Sequence, residues 1–166
     1  KCLSCTREGC HNDTNLTFGD LNKFYLYSQS ETQRQGSISD ELVFVEPITR
    51  ADGSQGMAFV LDKIYGMNTP LILENQIDAV LKKHRAIKQR FPHANLFVFV
   101  SDAAITTGGT SADMLLEKFR VKNIPGQIES VEVNVVKSAT GDHYVEFGGG
   151  ARTAGKRQVK GILFSI

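Results

Sequence analysis

The chain has 166 residues, the usual size of one globular domain and too short for two comfortable ones. Hydrophobic residues make up 41% and charged residues 22%, so a core can form and wholesale disorder is excluded. Lys and Arg number 19 against 18 Asp and Glu, a net charge of +1, which excludes a strongly basic nucleic-acid coat or an acidic tail as the dominant feature.

Lys1-Cys2-Leu3 leads into polar residues with no apolar h-region, so no signal peptide is expected, although a mature form or an excised domain would read the same. Cys2, Cys5 and Cys10 all fall within the first ten residues, with His11 next. Cys-x-x-Cys followed by Cys-His supplies four ligands for a small structural zinc site. Adjacent side chains at Cys10 and His11 diverge, however, which is awkward for one tetrahedral centre. A disulfide with one thiol left over, or a flexible terminal segment, is the other reading. Asn12-Asp13-Thr14 and Asn15-Leu16-Thr17 fit the glycosylation pattern, which matters only in a secreted eukaryotic protein. The compartment is left open, a soluble chain that is secreted or delivered being one option. Residues 1–17 are thus a Cys-rich segment, and 18–166 are expected to form a single α/β domain.

From Phe18 to about Gln33, the spacing of Leu21, Phe24, Tyr25 and Tyr27 suggests a short, imperfect helix. Leu42 to Val45 is a buried-strand run, and Pro47 limits how far it can pair. Ala51 to Gly56 is a turn and Met57 to Ile64 a second strand, together a hairpin. Thr69-Pro70 is a helix start, an N-cap threonine with proline at the first helical position. Leu73, Ile77, Val80, Leu81, His84, Ile87 and Phe91 then predict a helix over about 70–91, stopped by Pro92. Leu96 to Val100 is an apolar strand without alternation, so both faces should be covered. A Thr- and Gly-rich loop over 106–111 precedes a second helix over about 111–122. The remainder predicts an antiparallel meander: Ile128–Lys137 pairing with His143–Phe147, then a last strand over Val159–Ile166. No apolar run approaches the roughly 20 residues of a membrane-spanning helix. The expected architecture is one layered α/β domain with a mixed sheet and two main helices.

The stretch Val98-Phe99-Val100-Ser101-Asp102, followed by a loop and a helix at Ser111, gives an order that resembles the cytidine deaminase-like fold over about residues 40 to 137. The resemblance implies a hairpin, a helix, a strand and a second helix around a zinc-activated water. In Ile72-Leu73-Glu74, Glu74 matches the proton-shuttling Glu, but Ile72 stands where a ligand would be. The family's Pro-Cys-x-x-Cys is replaced by Thr107-Gly108-Gly109-Thr110-Ser111. Without zinc ligands no attacking hydroxide is generated, so the resemblance implies a shared scaffold without ordinary deamination.

Three groups of residues carry candidate chemistry. The Thr107-Gly108-Gly109-Thr110-Ser111 loop lies between a strand and a helix N-terminus, where unpaired N–H groups and close backbone approach suit a phosphate. It is not a Walker loop, and helix capping by Thr110 or Ser111 is the commoner use of such residues. His143, Glu146, Arg152 and Lys156, with Arg157 and Lys160 close in sequence, form a second group: His moves a proton at neutral pH, and cations stabilise a phosphorane-like transition state, as metal-independent RNA cleavage needs. His143 and Glu146 differ by three and so face opposite sides of a regular strand, and a solvated basic loop explains the same composition. The third group is Lys82, Lys83, Arg85, Lys88 and Arg90 on the long helix, read as solvated surface that is also able to track a nucleic-acid backbone. His84 lies on the apolar stripe and is read as a core histidine. A metal-dependent nuclease using Asp62 and Glu74 would need Glu74 on a strand, whereas the start signal puts it on a helix.

The favoured expectation is therefore a nucleic-acid- or nucleotide-directed domain, RNA before DNA, cutting without a metal in the manner of a small toxin or effector RNase. No cofactor is required beyond the zinc option at the N-terminus. The opposing expectation is a non-catalytic module that binds a protein partner or inhibitor. Oligomeric state is not legible.

Overall fold

The computed structural model describes residues 23–28, 39–66, 69–135 and 155–164. In chain order the elements are β1 (Lys23–Ser28), β2 (Ser39–Thr49), β3 (Gln55–Gly66), α1 (Pro70–Arg90), β4 (Leu96–Ser101), α2 (Asp102–Thr107), α3 (Ala112–Val121), β5 (Gly126–Val135) and β6 (Gly155–Phe164). The mixed sheet runs β2-β3-β4-β6-β5, with β3 and β4 parallel and the other neighbours antiparallel. It returns to β2 through Ile48–Val133 and Thr49–Glu132, closing a small five-stranded barrel. β1 adds a strand on the same edge of β2, opposite Ser39–Phe44.

Two cores follow from strand alternation. Phe44, Ile48, Ala58, Val60, Phe97, Phe99, Val131, Val133, Val159 and Leu163 fill the barrel. Val43, Phe59, Leu61, Val98, Val100, Ile162 and Phe164 face outward into a layer completed by Leu73, Ile77, Val80, Leu81, Leu115 and Phe119 from the helices. β4 therefore has no alternation because Phe97 and Phe99 serve one core while Val98 and Val100 serve the other. The predicted α/β class, mixed sheet and two main helices stand. Closure into a barrel is an addition that no local pattern announces.

Local differences have physical reasons. The short helix expected within 18–33 gives way to β1 over Lys23–Ser28. Its run of aromatic and apolar residues suits either period, and the open edge of β2 supplies the partner. Pro47 does not end β2. The Met57 N–H is donated to Asn95 O on the β4 side, 2.9 Å, so the Pro47–Met57 rung carries no β2–β3 hydrogen bond. The proline nitrogen faces the other edge, between the last β1 partner, Phe44, and the first β5 partner, Ile48, where no ladder bond is lost. α2 is a helix that the Thr- and Gly-rich composition did not suggest. Ser101 caps it, and its hydroxyl also donates to Leu61 O at 2.6 Å. Helix α1 begins and ends as expected, with Thr69 Oγ1 accepting from Ile72 N. Among the described residues β5 pairs with β6 along its whole length and with β2 near its end; the expected pairing was with His143–Phe147. Residues 143–147 lie outside the described residues.

Candidate functional site: a cleft between helix α1 and the barrel wall

A cleft of about 1120 Å³ opens between the C-terminal half of α1 and the outer wall of the barrel. It lies at the amino ends of the parallel strands β3 and β4, where β2 leaves β1 for β5. The floor is apolar: Val45 and Pro47 from β2, Met57 and Phe59 from β3, Ile87 from α1 and Leu96 from β4. These strand residues are outward-facing by alternation, and no helix covers the end of the sheet here, so Met57 stays 40% exposed. The rim is polar: Lys83 from the helix, Gln55, Thr49 and Asn95 around the β2–β3 turn, and Glu132, Asn134 and Lys156 from β5 and β6.

Each rim group is set by its element. Lys83 lies four residues before Ile87 and so occupies the same stripe of α1, beside the buried stripe that ends at His84. The Asn95 amide donates to the Gln55 carbonyl, tying the start of β4 to the start of β3. Lys156 stands opposite Asn134 in the β5–β6 ladder, and its ammonium lies 3.8 Å from the Glu132 carboxylate. That pair is solvent-facing and weak. A rim of two lysines, one carboxylate and several amides above an apolar floor can hold a phosphate at either wall and an apolar or aromatic ring between them.

At the other end of β3 and β4, the polar residues are turned inward. Thr107 Oγ1 donates to Ala103 O at 2.6 Å and accepts from Ile64 N at 2.9 Å. The N–H groups of Gly108, Gly109 and Thr110 are donated to Ala104 O, Thr106 O and Ile105 O, at 2.8, 3.1 and 3.3 Å. Ser111 accepts from Met114 N as the N-cap of α3. The Thr107–Ser111 loop thus turns the chain and caps a helix. The N–H groups of Gly108, Gly109 and Thr110, on which a phosphate site would draw, are thus turned inward.

Glu74 is on α1, buried, with its carboxylate 3.9 Å from Lys118 Nζ. Asp62 is on β3, at a bulge where Asp62 and Lys63 together oppose Leu42, and its carboxylate accepts from Lys63 N at 2.8 Å. The strand placement that an Asp62–Glu74 metal site requires is absent for Glu74. No three His, Cys, Asp or Glu side chains converge among the described residues. Glu41 is fully buried with neither carboxylate oxygen hydrogen-bonded. Burial first, and the charge of Asp62 second, push its carboxyl well above the usual carboxylate range. His84 is a core residue, 1% exposed, its Nε2–H donating to Leu96 O at 2.7 Å.

The Arg50 guanidinium binds Glu129 twice, at 3.1 and 3.0 Å, and lies 5.6 Å from the Phe97 ring centroid, fastening the β2–β3 turn to β5 across the barrel end. Hydrogen bonding from Arg50 holds the Glu129 carboxyl below its ordinary value. Among the catalytic expectations, Lys156 is placed on the cleft rim. His143, Glu146 and Arg152 lie outside the described residues, as do Cys2, Cys5, Cys10 and His11. The cleft residues that sequence reasoning passed over are Asn95, Asn134, Gln55 and Met57. Only the Lys83–Ile87 spacing on a helix already read as basic hinted at them. Among the described residues, no helix is long and apolar enough to cross a membrane.

Comparison of the chain with protein-family models, with curated proteins and with solved structures finds no match.

Proposed function

We propose that this is a nucleic-acid-directed domain, RNA favoured, that takes a strand in the cleft between α1 and the barrel. One observation supports the reading most: Lys83 and Lys156 come from opposite walls, helix and strand, to flank an apolar floor edged by side-chain amides. Phosphates at the two cations and a base over the floor would use every part of that surface. The acid-free basic run of α1 extends the electrostatic footprint with Lys82, Arg85 and Arg90. In the cleaving form of this reading, His143 transfers the proton, Glu146 is the second candidate proton carrier, and Arg152 and Lys156 neutralise the transition state.

The test is an RNA-binding titration with a parallel cleavage assay on tRNA, single-stranded RNA and DNA, with and without EDTA. Lys83→Ala with Lys156→Ala should weaken binding and lower the slope of log K against log salt by about two. Cleavage that persists in EDTA and falls by about a hundredfold or more in His143→Ala establishes the metal-independent nuclease. Cleavage abolished by EDTA would overturn the metal-independent form of the reading. Absence of both binding and cleavage from folded protein would overturn the reading. A second reading, a protein-binding module, is favoured by one feature: Met114 and Val121 on α3 are 58% and 69% exposed, with Leu71 at 62%.

A further inference from the structure

We propose that the strand taken by the cleft is single, with its bases exposed, and that Arg90 and Phe91 form a stacking platform at the end of α1; this rests on the nucleic-acid reading above. Lys83, Ile87 and Arg90 are spaced by four and three, so they form one stripe along the helix. Lys83 and Ile87 line the cleft, and the stripe continues past it to the helix end, about 10 Å beyond Lys83 at 1.5 Å per residue. There Phe91 is 56% exposed, and the Arg90 guanidinium lies 5.8 Å from the centre of its ring.

The backbone turn that carries the platform is held. The Phe91 N–H is donated to Ile87 O at 2.8 Å, and its carbonyl accepts from Ala94 N at 3.0 Å. Lys88 Nζ bridges Pro92 O and Ala94 O at 3.2 and 2.6 Å, closing the turn that presents the ring. An aromatic side chain, with only two torsions, on a held backbone loses little freedom on binding. An aromatic ring paired with a guanidinium is a surface on which any base can stack, at about 1–3 kcal/mol per base. A duplex hides its base faces within the stack and offers only phosphates and groove edges, leaving both the platform and the apolar floor unused. An unpaired strand presents what both surfaces accept. RNA and DNA strands share this chemistry and are separated by the experiment.

Fluorescence anisotropy with the full chain, at one fixed salt concentration, compares a single-stranded RNA, the same sequence as single-stranded DNA, and an RNA duplex. The expected result is at least about tenfold tighter binding of the single strands than of the duplex. Phe91→Ala should weaken single-strand binding about tenfold and leave the duplex unchanged, Phe91→Trp should restore it, and the melting temperature of both variants should match that of the parent. Duplex bound as tightly as single strands, or single-strand binding untouched in Phe91→Ala, would overturn the inference while leaving the cleft reading in place. No binding of any strand would overturn both.

Discussion

The two ends of the parallel pair β3–β4 treat their polar residues in opposite ways. The carboxyl ends are where α/β sheets commonly bind ligands, and this sequence concentrates hydroxyls, glycines and carboxylates there. Yet α2 follows β4 without a connecting loop, and β6 passes close by. A Cβ on Gly161 would stand 2.1 Å from the Val100 carbonyl oxygen. Ser101, Thr107 and the N–H groups of 108–110 bond inward, and a smaller pocket of about 350 Å³ opens there beside Thr69, Glu74, Thr110 and Lys118. At the amino ends, fewer polar groups surround a cleft, but they face solvent above uncovered apolar surface.

Three substitutions can break or sharpen that contrast. The largest effect is expected from Gly161→Ala, because its close neighbour is backbone and the β4–β6 pairing must shift. A loss of about 3 kcal/mol or more in denaturant-induced unfolding is predicted, and a change within experimental error would mean that the carboxyl end is less tightly closed than described. Next is Glu41→Met, which replaces two buried, unpaired oxygens by a thioether of similar length. A gain of about 1–3 kcal/mol is expected at neutral pH. The sign with pH is fixed by the direction of the shift. A carboxyl whose folded value is raised gives stability that is complete below the ordinary Glu range and is lost as pH rises through the folded value. The gain in Glu41→Met should therefore be larger at pH 8 than at pH 4; a variant less stable at every pH would show that Glu41 holds a partner. The smallest effect belongs to Gly108→Ala, whose Cβ would meet Leu73 Cδ2 at 2.6 Å and Ala104 O at 3.0 Å. About 1–2 kcal/mol of stability should be lost, with nucleic-acid affinity of the folded protein unchanged. Lost affinity without lost stability would return the glycine loop to a ligand-binding role.

Much of the fold was legible because its signals are local. Thr69-Pro70 set the start of α1, and the three- and four-residue spacing from Leu73 to His84 set its buried face. The unalternating run Leu96–Val100 predicted a strand covered on both sides. β1 was not legible, since Phe24 to Tyr27 fits either period and only the β2 edge selects the strand. The loop at 107–111 showed which residues were present but not where their hydrogen bonds go, so its anion-binding and capping uses could not be separated.

The sequence by itself determined the class, the long amphipathic helix, the hairpin and the doubly covered strand that follows, because helix caps, turn residues and hydrophobic period act within a few residues of one another. Tertiary structure alone decided that β2 meets β5 to close a barrel, that the loop at the carboxyl end bonds inward and that the amino end carries the larger cleft. Those outcomes join Ile48 to Val133 and set Lys83 across from Lys156, pairs more than 70 residues apart. No local pattern can encode them, because they depend on which surfaces are left uncovered once every other element has packed.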